Sequence, residues 1–217
     1  MKEEICLKYS DCFWLFMVGG IIGYFVEIIW YFLRKHIWLI KNGTLFGGFQ
    51  PIYAIGLLLL TVLSWKFRNK NPIIIFLLGC FIGGAFEYIS GVFQQQFLNV
   101  YTWNYTKFGK LSINGHIYLP YCLLWGLASL LWIKFCCVPT IKLFRKIPMP
   151  LNKILVIILT ILMSFNLLAT TCVFYRKGAR YKGIEPRNSL EKFIDNKYND
   201  DFLDKRFPNL WIYKIKK

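Results

Sequence analysis

The apolar positions of this chain arrive in long blocks rather than at the spacing of one buried face. Residues 12–33, CFWLFMVGGIIGYFVEIIWYFL, carry a single charge. Comparable blocks cover residues 48–65, 73–93, 116–137 and 154–175. Each is about 20 residues, enough to cross a hydrocarbon core of about 30 Å as a helix. Lipid offers the backbone no hydrogen-bond partner, so the blocks are expected to be closed helices. The pattern predicts an all-α, polytopic transmembrane helical bundle of about five spans over residues 1–175, followed by a basic tail, 176–217. The first block could instead be a secretory signal. It is too long for an apolar core of about 7–15 residues and no A-x-A-like site follows it, so it reads as a retained helix.

Two acids interrupt this pattern. Between residues 12 and 184 the acidic residues are Glu27 and Glu87, and that stretch has no Asp. A carboxylate at mid-bilayer costs roughly 2.5–3.5 kcal/mol on insertion scales, so neither is expected to face lipid ionised. Gly19, Gly23 and Glu27 are spaced four apart, as are Gly79, Gly83 and Glu87. That spacing lines each trio along one drifting helix face. Small-xxx-small faces let membrane helices approach closely, so the four glycines are expected to pack helices and the glutamates to point into the bundle. Gly43, Pro51 and Gly56 follow the first trio, and Gly109, Pro120 and Gly126 follow the second. The match reads either as a parallel 2+2 internal duplication or as coincidence among membrane glycines.

Both glutamates lie past the middle of their spans, toward loops 34–47 and 94–115. Gln50, Asn104, Asn114, His116 and the run Gln94-Gln95-Gln96 lie near the same side. A polar vestibule around Glu27, Glu87, Gln50, Asn104 and His116 would account for this, as a substrate or ion site. Ordinary loop polarity is the other reading. Tyr101, Trp103 and Tyr105 read as interfacial anchors rather than a binding cage. His116 reads as a hydrogen-bonded imidazole at a helix mouth, with a ligand or relay role as the sharper alternative.

Composition agrees with a membrane protein: of 217 residues 56% are hydrophobic, with mean hydropathy +0.43. The net charge of +16 sits mostly in loops and tail, which suits an anionic lipid surface and argues against nucleic acid as a partner. Lys and Arg near the span ends number ten on the N-terminal side and eleven on the other, leaving orientation open. The basic, acid-interspersed tail tilts the reading toward a cytoplasmic tail at the cell membrane. In the tail, Leu190, Phe193, Ile194, Tyr198 and Phe202 follow Ser189, a plausible N-cap, at helical spacing. They predict a short amphipathic surface helix, with a solvated tail as the alternative. The seven cysteines include no C-x-x-C and read as small apolar packing residues.

Two stretches are recognisable: NGTLFGGFQPIYAIG, residues 42–56, and FEYISGVFQQQFLNVYTWNYTKFGKLSINGHIYLPYCLLWG, residues 86–126. With Glu27 they resemble the ABC-transporter permease family of CmpB type, over roughly residues 13–135. The elements that carry the likeness are Asn42-Gly43, Pro51-Ile52-Tyr53, Glu87-Tyr88, Trp103-x-Tyr105, Asn114-Gly115 and Trp125-Gly126. Relatives tend to have Cys-Pro at Gln50-Pro51, Trp-Asp-Tyr at Trp103-Asn104-Tyr105 and Gly-Arg-Ile at Gly115-His116-Ile117. An Asp–Arg pair would then be replaced by an Asn104–His116 contact. The resemblance implies a small polytopic membrane protein and a transport role. FGKLS, residues 108–112, lacks the upstream glycine of a phosphate-binding loop, so any ATPase would be a separate subunit. Five spans are few for a substrate path, which implies a homodimer or another partner.

Three functions are consistent with these residues. A transport subunit would bind a cation, a proton or a small polar solute at the glutamates. A non-transporting membrane component would bind partners, maintain the envelope or sense it, with its acids structural. An intramembrane enzyme would need a nucleophile–base pair or a metal-ligand cluster, and the spacing offers neither. The chain is therefore not expected to be an enzyme or to carry a cofactor or metal.

Overall fold

The structure is a computed structural model and describes residues 6–212. Lys2 and the tail lysines Lys214, Lys216 and Lys217 lie outside the described residues. Five apolar helices dominate the fold: α1 (Tyr9–Lys35), α2 (Pro51–Phe67), α3 (Pro72–Leu98), α4 (Leu119–Phe144) and α5 (Met149–Tyr181). Four are long and apolar enough to cross a membrane; α2 is a shorter apolar helix. Proline opens α2, α3 and α4, where a missing N–H costs nothing. Asn71 caps α3 by accepting from Ile73 N at 2.9 Å. His36 ends α1 in the left-handed region, φ 55°, with its N–H on the Phe32 carbonyl at 2.7 Å.

The helices alternate in direction. At the N-terminal side, Arg145 donates to Asp11 at 2.6 Å, Trp14 Nε1 to Asn152 Oδ1 at 2.8 Å, and Lys134 to the carbonyls of Arg68 and Lys70 at 3.0 and 2.9 Å. The opposite side carries loop 36–50, loop 99–118 and the tail. Trp132, in a widened π-type turn of α4, donates to Thr61 Oγ1 on α2 at 2.8 Å and ties the hairpins across the core.

The second predicted span, 48–65, begins instead at Pro51, because residues 42–50 are not helical. At 1.5 Å per residue α2 reaches only about 25 Å. The chain before it supplies the missing depth by dipping back beside α5. Irregular backbone there must be satisfied by protein. Leu45 N donates to Thr170 Oγ1 at 2.8 Å. Phe46 N donates to Asn166 Oδ1 at 3.1 Å, and Asn166 Nδ2 donates to the Phe46 carbonyl at 2.8 Å. Gln50 N donates to the Gly20 carbonyl at 3.0 Å, and Gln50 Nε2 to the Lys41 carbonyl at 2.8 Å. Asn166→Leu strands the Phe46 N–H, while the Phe46 carbonyl keeps the Thr44 hydroxyl at 3.0 Å. The substitution should cost about 1–3 kcal/mol, seen as a lower melting temperature in detergent. Thr171→Val, at an exposed position on the same helix, should leave the melt unchanged.

The last apolar helix runs past 175 to Tyr181, and its final turns carry a folded cap. Within the tail, α6 (Ser189–Lys197) and α7 (Asp200–Arg206) are separate helices. The N-cap of α6 is Asn188 rather than Ser189: its Oδ1 accepts from Glu191 N at 2.8 Å. Ile194, Leu203, Phe207 and Leu210 are buried with Leu45, Leu98, Val100, Val173 and Phe174, so the cap shares a core with both loops. A short antiparallel pair joins β1 (Val100–Tyr101) to β4 (Trp211–Ile212), and loop 99–118 carries a second pair, β2 (Ser112–Ile113) with β3 (Ile117–Tyr118).

Charge fastens this cap. Arg176 is 1% exposed and binds Asp195 at 2.5 Å and Glu191 at 3.2 Å. Arg180 reaches Asp195 and Asp200, both at 2.6 Å, and Lys177 pairs with Asp204. These pairs explain why most of the chain's acids gather in its tail. Burial pushes the Asp195 carboxyl up, but the hydrogen bonds and charges of Arg176 and Arg180 win and hold it below the ordinary aspartate value of 3.8. A depressed carboxylate stabilises the fold above the ordinary value, and that stability is lost as the pH falls through the folded value. Protease resistance of residues 182–212 should therefore stay constant from neutral pH down to about pH 5 and fall only in stronger acid.

Candidate functional site: two glutamates held by two hairpins

The hairpins α1–α2 and α3–α4 repeat one another contact for contact. On α1, a Cβ at Gly19 would lie 3.0 Å from Leu57 Cβ and 3.1 Å from the Tyr53 carbonyl, and one at Gly23 would overlap the Tyr53 side chain. On α3, a Cβ at Gly79 would overlap Ser129, and one at Gly83 would overlap Cβ and Cγ of Trp125. Each glycine pair thus admits two side chains spaced four apart on the partner helix. One turn further on, each glutamate meets the same partner residue that covers the second glycine.

Glu27 Oε1 accepts from the Tyr53 hydroxyl at 2.8 Å. Its Oε2 accepts from Lys41 Nζ, in loop 36–50, at 3.2 Å. Glu87 Oε2 accepts from Trp125 Nε1 at 3.0 Å, and Oε1 from the Tyr105 hydroxyl, in loop 99–118, at 2.6 Å. So each carboxylate has one donor from its partner helix and one from the loop that joins the two helices. The Tyr53 and Trp125 rings are 6.0 Å apart, which joins the halves, and the two carboxylates lie within electrostatic reach of each other. Glu87 is 7% exposed. Burial, and then the Glu87 carboxylate, push the Tyr105 hydroxyl far up, so at neutral pH it stays a proton donor.

Gln50, Asn104 and His116, also singled out from the sequence, make no hydrogen bond to either carboxylate among the described residues. Gln50 is spent on the Lys41 backbone, which positions the loop that delivers Lys41. Asn104 Oδ1 accepts from Thr106 N at 2.8 Å, and the residue lines a cleft of about 700 Å³ with Tyr101, Lys177, Asp200 and Trp211, under the cap. His116 packs on Tyr88, ring centroids 5.6 Å apart, and against Gly91. Burial lowers its pKa, which leaves a neutral imidazole at neutral pH. Among the described residues Asn104 and His116 do not bond to each other, so that expected contact does not form. Tyr105, expected to be an interfacial anchor, instead reaches inward to Glu87 because Tyr105 N is tied to the Gly115 carbonyl at 2.9 Å.

Lys41, Tyr53, Tyr105 and Trp125 are the partners that sequence reasoning did not assign. Three of them stand inside the recognisable stretches, in Pro51-Ile52-Tyr53, Trp103-x-Tyr105 and Trp125-Gly126. Their place in those motifs was the available signal. Lys41 carried none, since a loop lysine is ordinary.

The fold and this paired site define a multi-pass helical membrane protein built from two glutamate-bearing hairpins and a fifth helix. The model of the family described as "Putative ABC-transporter type IV" matches residues 14–171. The chain belongs to that family, and the match spans both hairpins and most of α5 while leaving out the cap. A search of curated proteins found no match, and a search of solved structures found none either.

Proposed function

We propose that this chain is the membrane-embedded component of an ABC-type transport system, that it lacks an ATPase of its own, and that its polar intramembrane site is the Glu27–Glu87 pair. The observation that carries the reading is the convergence of a buried carboxylate, Glu87, and a half-buried one, Glu27, from matched hairpins, joined through Tyr53 and Trp125, in a chain of the ABC-transporter family. Intramembrane acids on a bundle interior are what a path for cations, protons or small polar solutes requires. ATP would be hydrolysed by a separate subunit, and a homodimer or further partner would complete the path. The chain performs no catalysis itself, and its partners are the lipid bilayer and these subunits.

A second reading is favoured by one observation: all four carboxylate oxygens already have protein donors. On that reading the acids fasten loops 36–50 and 99–118, and the chain is a non-transporting, partner-binding component. Proteoliposome flux separates the two. With expression and fold retained, Glu27→Gln and Glu87→Gln should abolish flux if the site transports. Retained flux with impaired assembly favours the structural role. Crosslinking in native membranes should recover an ATPase, and repeated recovery of no ATPase would count against the transport reading.

A further inference from the structure

The two halves differ in one chemical respect. In the first hairpin the donor from the loop is an ammonium: Lys41 Nζ lies 3.2 Å from Glu27 Oε2 and 4.7 Å above the Tyr31 ring. In the second it is the neutral hydroxyl of Tyr105. The first site is electrically closed. The second holds a carboxylate that, among the described residues, has no Lys, Arg or His bonded to it. The groups facing it are Tyr105 from the loop, Trp125 and Cys122 from α4, and Tyr53 and Glu27 from the other hairpin. All of these are neutral or acidic.

A buried charge without a counter-ion costs several kcal/mol. Neutral donors do not cancel it. A carboxylate offers about four lone-pair directions, and two are used here, so Glu87 keeps room to accept. A divalent ion would want about six or more oxygen ligands, and with Glu27 held by Lys41 this surround leaves the Glu87 carboxylate and two phenols.

We infer that Glu87 takes up a monovalent cation, either a proton or an alkali ion, and that Lys41 is the tethered stand-in for that cation at Glu27. The glutamates thereby divide their roles: Glu27 is permanently occupied, and Glu87 exchanges. The inference rests on the transport reading for its purpose, but its readout is occupancy rather than flux.

The test is infrared difference spectroscopy of the purified full chain in lipid nanodiscs, between about pH 5 and about pH 9, first in choline chloride and then in NaCl or KCl. A protonated-carboxyl band is expected that vanishes in Glu87→Gln and persists in Glu27→Gln. Loss of the band on adding Na⁺ or K⁺ identifies an alkali ion as a competing occupant; insensitivity to both identifies the proton. Either result supports the inference. Lys41→Met should add a second band, from Glu27. Tyr105→Lys should remove the Glu87 band by installing a tethered ammonium, while Tyr105→Phe should keep it; circular dichroism checks that each variant is folded. No Glu87 band in choline, together with no effect of Na⁺ or K⁺ on the melting temperature, overturns the inference. So does a band set unchanged by both Lys41→Met and Tyr105→Lys. Absent flux with the band behaving as expected would sink the transport reading and leave this one standing.

Discussion

Arg176→Leu should detach the cap. The guanidinium is fully buried and holds Asp195, Glu191 and the Ile184 carbonyl, at 2.5, 3.2 and 3.2 Å. Removing one partner of a buried pair leaves the other charge uncompensated, which costs about 3–5 kcal/mol. Arg180 still reaches Asp195 at 2.6 Å, so the lower end of that range is expected. The loss should spread. Arg206, at the end of α7, donates to the carbonyls of Thr44 and Gly47 at 3.1 and 2.6 Å, and Asn42 donates back to the Arg206 carbonyl at 3.2 Å. A loosened cap therefore leaves loop 36–50 with unsatisfied carbonyls, and that loop carries Lys41 to Glu27. Limited proteolysis in detergent should show rapid cleavage within residues 182–212. Lys192→Met, at an exposed position on α6, should show none. Unchanged protease resistance in Arg176→Leu would mean that the apolar core of the cap suffices without its ion pairs.

Gly83→Ala should damage packing and site together. The added methyl would overlap Cβ and Cγ of Trp125, atoms too near the backbone to swing aside. Overpacking of this kind costs about 1–3 kcal/mol, and here α3 and α4 must separate to relieve it. Separation draws Trp125 Nε1 away from Glu87, now at 3.0 Å. A single methyl group is thus expected to lower the melting temperature and to change whatever Glu87 binds. Gly47→Ala is a contrasting control. Its φ of +74° strains any side chain, but a Cβ there meets nothing within 4 Å, so it should cost stability without drawing Trp125 away from Glu87.

Much of the bundle could be read from the chain because lipid imposes one requirement along each span, an unbroken apolar block. Helix existence followed from that rule, and the glycine–glutamate spacing showed which face turns inward. What the blocks could not show was depth. Gly48 and Phe49 are small or apolar enough to look like the start of a span, yet with Gln50 they belong to a loop that dips beside α5. The polar groups that permit this, Asn166 and Thr170, are remote in sequence and look like incidental polar residues in an apolar run. The tail was misleading for a related reason. Its basic count suggested a surface for lipid headgroups, but Arg176, Lys177 and Arg180 are consumed by tail acids. Pairing is a property of the folded chain and is invisible in a charge tally. At the site, the carboxylates stood out by rarity, whereas their partners are aromatic residues and one lysine of common types.

The central claim is that both carboxylates are sheltered between matched hairpins. Spin-label accessibility along α3, with single cysteines introduced at the non-glycine positions from residue 81 to residue 91 in reconstituted protein, tests it most directly. Lipid-dissolved oxygen should relax labels strongly at 81 and 89, where Phe81 and Ile89 are 75% and 64% exposed. It should relax a label weakly at 87, on the face that meets α4 and loop 99–118, while the glycines at 83, 84 and 91 stay unsubstituted because a side chain there would meet Trp125, Cys122 and His116. An oxygen-accessibility maximum at 87, in phase with 81 and 89 reversed, would place Glu87 against the acyl chains and contradict the account.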